Sequence, residues 1–316
     1  MEKDNENKLT LDNSGRSTYR LCKMKYFLQV INGWQPNYGS TALRYGSCWH
    51  GIQEGFHTWV KENGWPQDST SEMTAITQGF ALGNKTFIKE SEGKEFYDDF
   101  KNFNTAVDHF NAYLEYFKDD KDFIEVIATE KKFSCPILPE NSLEEKLLKK
   151  IAELIFTGKI DLCVKMDGMK WILDFKTTGW YLKKVIQQAT RSPQLLGYSY
   201  AGDKVLGFKP EGCLFSFAYL GSTKSKVTGN YGKVRFDFRR IPHVFTAGDI
   251  EAWKLSFITT AIDIQRSKDE NIWPESFDSC FQYGTCPYLR LCNQHRPYED
   301  LNFEGFHVKH WSVLDE

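Results

Sequence analysis

The chain has 316 residues, of which 40 are Lys or Arg and 42 are Asp or Glu, for a formal net charge of -2. Hydrophobic residues make up 41% and aromatic residues 15%, which excludes a disordered or fibrous chain and leaves ample material for one large core or two small ones. No global basic field points to a polyanion partner, so any such partner would have to be held by local charge or bound cations. The aromatic content suits base stacking and suits a plain core equally well.

Residues 1–16 are polar and read as a flexible tail; they lack the apolar stretch of a signal peptide. No apolar run reaches the length of a membrane span, so an intracellular, cytoplasmic protein without membrane partners is expected. Residues 17–33 and 40–62 read as helices, separated by Asn32-Gly33, Pro36 and Gly39. Segments 71–90 and 98–118 also read as helical, with Gly83 and Gly93 weakening the pattern. Residues 123–133 predict the first strand of a core. A Lys- and Glu-rich stretch near 143–150 predicts a solvated helical face. A helix over 181–202, strands over 213–220 and 233–240, and a last helix over 246–268 follow. The expected organisation is a helical N-terminal region at 17–119 carrying Cys22 and His50, an α/β core at 120–270, and a C-terminal cysteine segment and tail at 271–316. There is no internal repeat.

The stretch from Gly158 to Lys176 reads as two strands joined by Asp167-Gly168, a pair suited to a two-residue turn with both residues at positive φ. That turn pairs Met166 with Met169. It then sets Asp161 opposite Asp174 and Lys159 opposite Lys176. Strand alternation gives one apolar face of Ile160, Leu162, Val164, Trp171, Leu173 and Phe175. The other face carries Asp161, Asp174 and Lys176. Opposed carboxylates destabilise a sheet unless a cation lies between them. Oxygen ligands suit Mg²⁺ or Mn²⁺. The alternative is a solvated hairpin face with scattered charges.

Of the eight cysteines, Cys48, Cys135, Cys163 and Cys213 are dispersed and read as small core residues. Cys280, Cys286 and Cys292 fall close together near the end of the chain. In a reducing compartment such a group is useful on a metal or cluster. Zinc with a fourth ligand, a cluster, and unliganded thiols all remain open.

Taken in order, Gly46-Ser-Cys-Trp-His50-Gly-Ile-Gln-Glu54, Gly158-Lys-Ile-Asp161, Asp174-Phe-Lys176, Gln194-Leu-Leu-Gly-Tyr198 and the terminal cysteines resemble the motifs of the PD-(D/E)XK nucleases, within them the RecB-like exonuclease branch. The resemblance spans Cys22 to Cys292. It implies an α/β restriction-endonuclease-like core, a central mixed sheet flanked by helices, that hydrolyses phosphodiester bonds in DNA with Mg²⁺ or Mn²⁺. It further implies that His50, Asp161, Asp174 and the Phe175 carbonyl hold metal, that Lys176 assists the attacking water, and that Gln194 and Tyr198 lie near the catalytic groups. Cys22, Cys280, Cys286 and Cys292 would hold a [4Fe–4S] cluster, although the interval from Cys280 to Cys286 is longer than the family's usual spacing.

Glu54 and Glu130 are candidate supporting residues, each with a plain surface-charge alternative. His57 shares the helix of His50 without other marking. Thr177 and Thr178 could contact phosphate. No G-x-x-x-x-G-K-[ST] is present, so a motor would come from a helicase or recombination partner. A DNA exonuclease of recombination, repair or a mobile element is the expected activity. The alternatives are an endonuclease like the CRISPR-associated iron–sulfur nucleases, an assembly subunit with little catalysis, and a sensor in which the cluster is the working part.

Overall fold

A computed structural model of the chain describes residues 8–92, 94, 96, 100–179, 182–223, 225, 227–229, 231–282, 284–310, 312 and 314. In chain order the first elements are β1 (Lys8–Leu11), α1 (Asn13–Leu21), α2 (Lys23–Tyr26), β2 (Trp34–Pro36), α3 (Thr41–Asn63), α4 (Ser69–Ser91), α5 (Phe103–Tyr116) and α6 (Asp120–Phe123). They are followed by β3 (Ile124–Pro136), α7 (Ser142–Leu148), β4 (Glu153–Met166), β5 (Met169–Thr178), α8 (Leu182–Ala189) and α9 (Pro193–Val205). The last are β6 (Gly212–Gly221), β7 (Arg235–His243), α10 (Ala247–Glu270), α11 (Leu289–Cys292) and β8 (Phe306–Val308). The main sheet is mixed, of strand order β1-β4-β5-β6-β7, with β3 also pairing with β4. This is the α/β, restriction-endonuclease-like class that the sequence predicts.

The chain divides into two compact units. One comprises residues 1–37, 132–159 and 246–316, and so gathers both ends of the chain. Within it β1 runs parallel to the start of β4, and β2 pairs antiparallel with β8. Residues 8–11, expected in a flexible tail, are therefore a strand; Leu9 and Leu11 alternate inward and are buried. The single helix expected over 17–33 is broken. Asp12 caps α1 by accepting from the Gly15 N–H, and the chain then opens at Cys22 to an extended conformation, φ -161° and ψ 121°. A π-helical turn, Phe27–Ile31, follows α2. The stretch near 143–150 is helical but not simply solvated. Glu144 on α7 is buried and pairs at 2.9 Å with Lys254, which is 1% exposed on α10. A lysine so deep needs its carboxylate partner, because an unpaired buried charge is costly.

The other unit comprises residues 38–131 and 160–245. Here β4 and β5 form the expected hairpin. Asp167 and Gly168 turn it at φ 51° and 80°, and the register runs from Met166–Met169 to Leu162–Leu173. β5 pairs parallel with β6, and β6 antiparallel with β7. The apolar face behaves as alternation predicts: Leu162, Val164, Trp171, Leu173 and Phe175 pack with Trp49, Ile52 and Phe56 of α3. The opposite face is covered too. Cys163 and Ile172 are fully buried, and the thiol of Cys213, beside Ile172 on β6, lies against the Leu195 carbonyl of α9. The reading of a solvated hairpin face therefore fails. The expected helix over 181–202 is two helices. Pro193 opens the second, with Ser192 capping it by accepting from the Leu195 N–H.

α3 and α4 cross where glycines replace side chains. A Cβ on Gly55 would lie 2.7 Å from the Gln78 carbonyl oxygen and 2.9 Å from the Gly79 Cα. A Cβ on Gly83 would lie 3.1 Å from the Cys48 carbonyl and closer still to Ile52. Gly83, which weakens the sequence reading of α4, is thus required by close approach. The neighbours are backbone and cannot rotate away. Gly55→Ala should therefore destabilise the protein by about 1–3 kcal/mol, as overpacking does. The gain in helix propensity would favour the variant by only about 1 kcal/mol. Denaturant titration checks the sign; an equal or higher midpoint would show that the crossing has slack.

Candidate metal and catalytic site

β4 and β5 stop pairing beyond Leu162–Leu173, and the next residue on β4 is Asp161. Its side chain takes over where the ladder ends, Oδ2 accepting from the Phe175 N–H at 2.8 Å. Asp161 and Asp174 are both buried, at 7% and 0% exposure. His50, from the middle of α3, brings Nδ1 to 3.4 Å from Asp161 Oδ2. Glu130 completes a group in which one ligand atom each of His50, Glu130 and Asp161 lies within 4.8 Å of the others.

Glu130 reaches this place through its backbone. It sits within β3 at φ 45°, a left-handed conformation that is unusual for a non-glycine residue and adverse in a strand. Such a kink re-aims a side chain out of strand alternation. No residue-type signal announces it. The sequence gives Glu130 only a supporting place, whereas the structure puts it among the potential ligands.

Lys176 Nζ lies 3.0 Å from Oδ1 and 2.9 Å from Oδ2 of Asp174. Beyond this ion pair Oδ2 takes no well-aligned hydrogen bond, so a fully buried carboxylate oxygen keeps a lone pair for a further ligand. Burial raises the Asp174 carboxyl to about 6; Lys176 works against the shift and Asp161 adds to it. Burial opposes the charge on Lys176, but Asp174 and then Asp161 overcome it and raise its pKa. Tyr198 is 4% exposed, and its hydroxyl accepts from Gln194 Nε2 at 2.8 Å. Burial, and then the charges of Asp161 and Asp174, hold that hydroxyl well above the ordinary tyrosine value. Tyr198 is thus within electrostatic reach of the two carboxylates, and Gln194, four residues earlier on the same helix face, is bonded to it.

The remaining candidates separate. Glu54 is half-buried one turn beyond His50 on α3. His57 is a core residue: Nδ1 bonds the Gln53 carbonyl at 2.8 Å, the ring packs on Phe175, and burial lowers its pKa to about 4. Thr177 Oγ1 faces Gly46, 3.5 Å from where a Cβ would stand, and Thr178 is paired with Tyr219 in the sheet.

This donor set fits a hard divalent cation. It offers clustered carboxylates and one half-buried imidazole, with like charges that a cation would neutralise.

The cysteines form a second centre, in the unit that holds both chain ends. Cys22 occupies the extended break after α1, and the Cys286 N–H donates to the Cys280 carbonyl at 2.8 Å. The Cys292 thiol is pushed up to about 12, first by burial, then by Glu275 and by Cys22, Cys286 and Cys280. The Cys280 thiol is raised by burial, then by Cys286, Cys22 and Glu275. Cys280 and Cys292 each lie within electrostatic reach of Cys22 and Cys286. Cys48, Cys135, Cys163 and Cys213 are buried core thiols, as expected.

The model of the PD-(D/E)XK nuclease superfamily matches residues 14–293. The chain belongs to this superfamily and is a nuclease by family. No curated protein matches it. Among solved structures it is similar to a "Putative exonuclease" from Eubacterium rectale, at 16% identity and TM-score 0.47, over 98% of this chain and 93% of that one. It is also similar to SSO0001, at 12% identity and TM-score 0.29, over 79% and 86%. Among the described residues, no helix is long and apolar enough to cross a membrane.

A raised carboxyl pKa makes a signed prediction. The folded value near 6 exceeds the ordinary 3.8, so the folded state holds the extra proton between roughly those limits. The contribution of Asp174 to stability is then greatest at low pH and is lost as pH rises through about 6. Asp174→Asn imitates the protonated form. In chelator, its melting temperature should exceed that of the wild type by a margin that grows from pH 5 to pH 7. A margin independent of pH would refute the assignment of this pKa.

Proposed function

We propose that the protein is a metal-dependent deoxyribonuclease that acts as an exonuclease in recombination, repair or a mobile element. The observations that support this reading are the grouping of His50, Glu130 and Asp161 and, within electrostatic reach of it, the buried Asp174 with its Lys176 ion pair. His50, Asp161 and Asp174 would hold Mg²⁺ or Mn²⁺, with the Phe175 carbonyl as a further ligand and Glu130 in support. A bound ion supplies polarisation of the phosphoryl group and a water of lowered pKa. The residues of the chain do the rest. The ammonium of Lys176, kept charged by Asp174 and Asp161, orients the attacking water and offsets charge that develops on phosphate. Tyr198 stays protonated at any working pH and so donates rather than accepts toward the site. Gln194 fixes the direction of that hydroxyl. A helicase or recombination partner would deliver the DNA.

The expected outcome of substitution separates these roles. Asp161→Asn and Asp174→Asn should lose both Mn²⁺ binding by calorimetry and cleavage of end-labelled linear DNA. Lys176→Ala should keep Mn²⁺ binding and lose about 10²-fold or more in kcat. Linear against circular substrate separates exonuclease from endonuclease. Wild-type rates in the aspartate variants would end the proposal.

Cys22, Cys280, Cys286 and Cys292 would bind a [4Fe–4S] cluster. The Cys280 and Cys292 thiols, both raised by burial and by neighbouring thiols, suit a cationic group. Anaerobically purified protein should be brown and contain iron and sulfide. Cys22→Ala and Cys292→Ala should remove the colour, and Cys163→Ala should not. Colourless protein with stoichiometric zinc would replace the cluster with a zinc staple and leave the nuclease reading standing.

A further inference from the structure

Charge is segregated along the sequence of the unit that holds the carboxylate site. Residues 38–131 carry nine basic and sixteen acidic side chains. Residues 175–236 carry ten basic and two acidic, and neither 176–202 nor 212–236 contains a carboxylate. The two acidic exceptions, Asp203 near the end of α9 and Glu211 just before β6, lie away from the ends at issue, as do two of the ten basic residues, Lys204 and Lys209.

The topology brings this basic sequence to one edge. β5 and β6 are parallel, with Lys176 beside Phe217 and Thr178 beside Tyr219, so both strands finish at the same end of the sheet. The segment leading to α8 leaves from the end of β5. The β6–β7 connection leaves from the end of β6, and Gly179 lies against the Leu220 carbonyl, 3.6 Å from where its Cβ would be. The two connections therefore start side by side, and α8 lies against β6. Lys183 and Lys184 on α8, Arg191 before α9, and Lys233 and Arg235 entering β7 are all exposed. The base of the β6–β7 connection is fixed by the Gly232 N–H to the Thr223 carbonyl and by Ser222 Oγ to the Gly232 carbonyl, each 2.8 Å. Alternation along β6 puts Phe217 and Gly221 on one face, so Arg235, the partner of Gly221, shares the face of Lys176. Four residues of strand separate the two rungs, about 13 Å at roughly 3.3 Å each. That distance is about four nucleotides at roughly 3.4 Å per step.

We infer that α8 and the entry to β7 form a phosphate-binding track for the nucleic-acid strand being cut, running from Lys176 past the C-terminal ends of β5 and β6. The occupant is a polyanion by charge complementarity. It lies on this side because residues 38–131, which bring His50 and Glu130 to the same site, are net acidic. The track holds the strand by its backbone and reads no sequence. It also resolves how a chain of net charge -2 binds a polyanion: the basic charge is concentrated where the strand leaves the site. The inference rests on the nuclease reading and deepens it.

The test uses the full-length protein with Lys183→Gln/Lys184→Gln, with Lys233→Gln/Arg235→Gln, and with the control pair Lys85→Gln/Lys89→Gln on α4. Binding of a fluorescent single-stranded oligonucleotide in Ca²⁺ is followed by anisotropy against salt. Each track pair should weaken binding and flatten the log–log salt slope by about 1.4, at roughly 0.7 per lost phosphate contact. With Mg²⁺ or Mn²⁺, KM for the oligonucleotide should rise. Neither kcat nor hydrolysis of bis(p-nitrophenyl) phosphate, which reaches only the metal site, should change. Unaltered slope and KM in both track pairs, or equal losses in the control pair, would overturn the track while cleavage continues. A wild type that binds with the expected slope but cleaves nothing would instead remove the nuclease reading and leave the track in place.

Discussion

Two carboxylates buried in the interior of a sheet set the terms for everything around them. Asp161 and Asp174 stand where a strand pair would otherwise continue, at 7% and 0% exposure. Uncompensated, two like charges there would cost more than a small domain can carry. The structure compensates in stages. A main-chain N–H from Phe175 satisfies Asp161, and Lys176 lies on Asp174. The compensation is incomplete, since Asp174 remains shifted toward its protonated form. The shortfall is what gives the site its appetite for a cation. Perfect internal pairing would leave no affinity to spare.

The surrounding elements can be understood as means of holding that imperfect arrangement still. His50 lies on α3, which packs one face of the hairpin through Trp49, Ile52 and Phe56. On its other side α3 meets α4 backbone to backbone through Gly55, Gly79 and Gly83. A helix gripped on two sides cannot translate, so the imidazole stays within reach of Asp161. Glu130 uses the opposite device, a left-handed residue in β3 that costs about 1–3 kcal/mol and turns one side chain out of alternation. Strain of that kind persists where neighbours over-determine it. Thr129, next in the strand, is bonded at 3.1 Å to Thr58 of α3, the helix that also carries His50.

What was legible in the sequence follows from the range of the forces involved. The Asp167-Gly168 turn is local, so its positive φ values fix the register as far as Leu162–Leu173, and the ladder stops short of the predicted Asp161–Asp174 pair. Gln194 and Tyr198 meet because a helix repeats every turn. The failures are non-local or hidden in the backbone. The buried Lys254–Glu144 pair joins residues far apart in sequence, so the charged stretch near 143–150 looks solvated when read alone. Nothing in the residue type of Glu130 predicts a left-handed conformation. Cys22 interrupts a helix whose periodicity continues on both sides of it. The break at Pro193 was open to view: a proline at the first position of a helix, after a serine cap, marks a new start rather than a continuation. The basic bias of 175–236 was also visible by composition, but only the parallel pairing of β5 with β6 shows that its two halves emerge at one edge.

The two centres obey one logic with different chemistry. In one unit buried carboxylates repel each other; in the other the Cys280 and Cys292 thiols are raised by burial and by neighbouring acidic groups and thiols. Each is a set of like groups assembled by folding and incompletely satisfied by protein partners. Each therefore couples folding to cation binding, because a ligand that binds only the assembled state stabilises that state. The couplings differ in reach. The carboxylates lie on adjacent strands of one hairpin, so filling their site secures a local geometry. The thiols join residue 22 to residues 280–292, so a group bound there closes almost the whole chain, and the entropy removed from the unfolded state grows with that span.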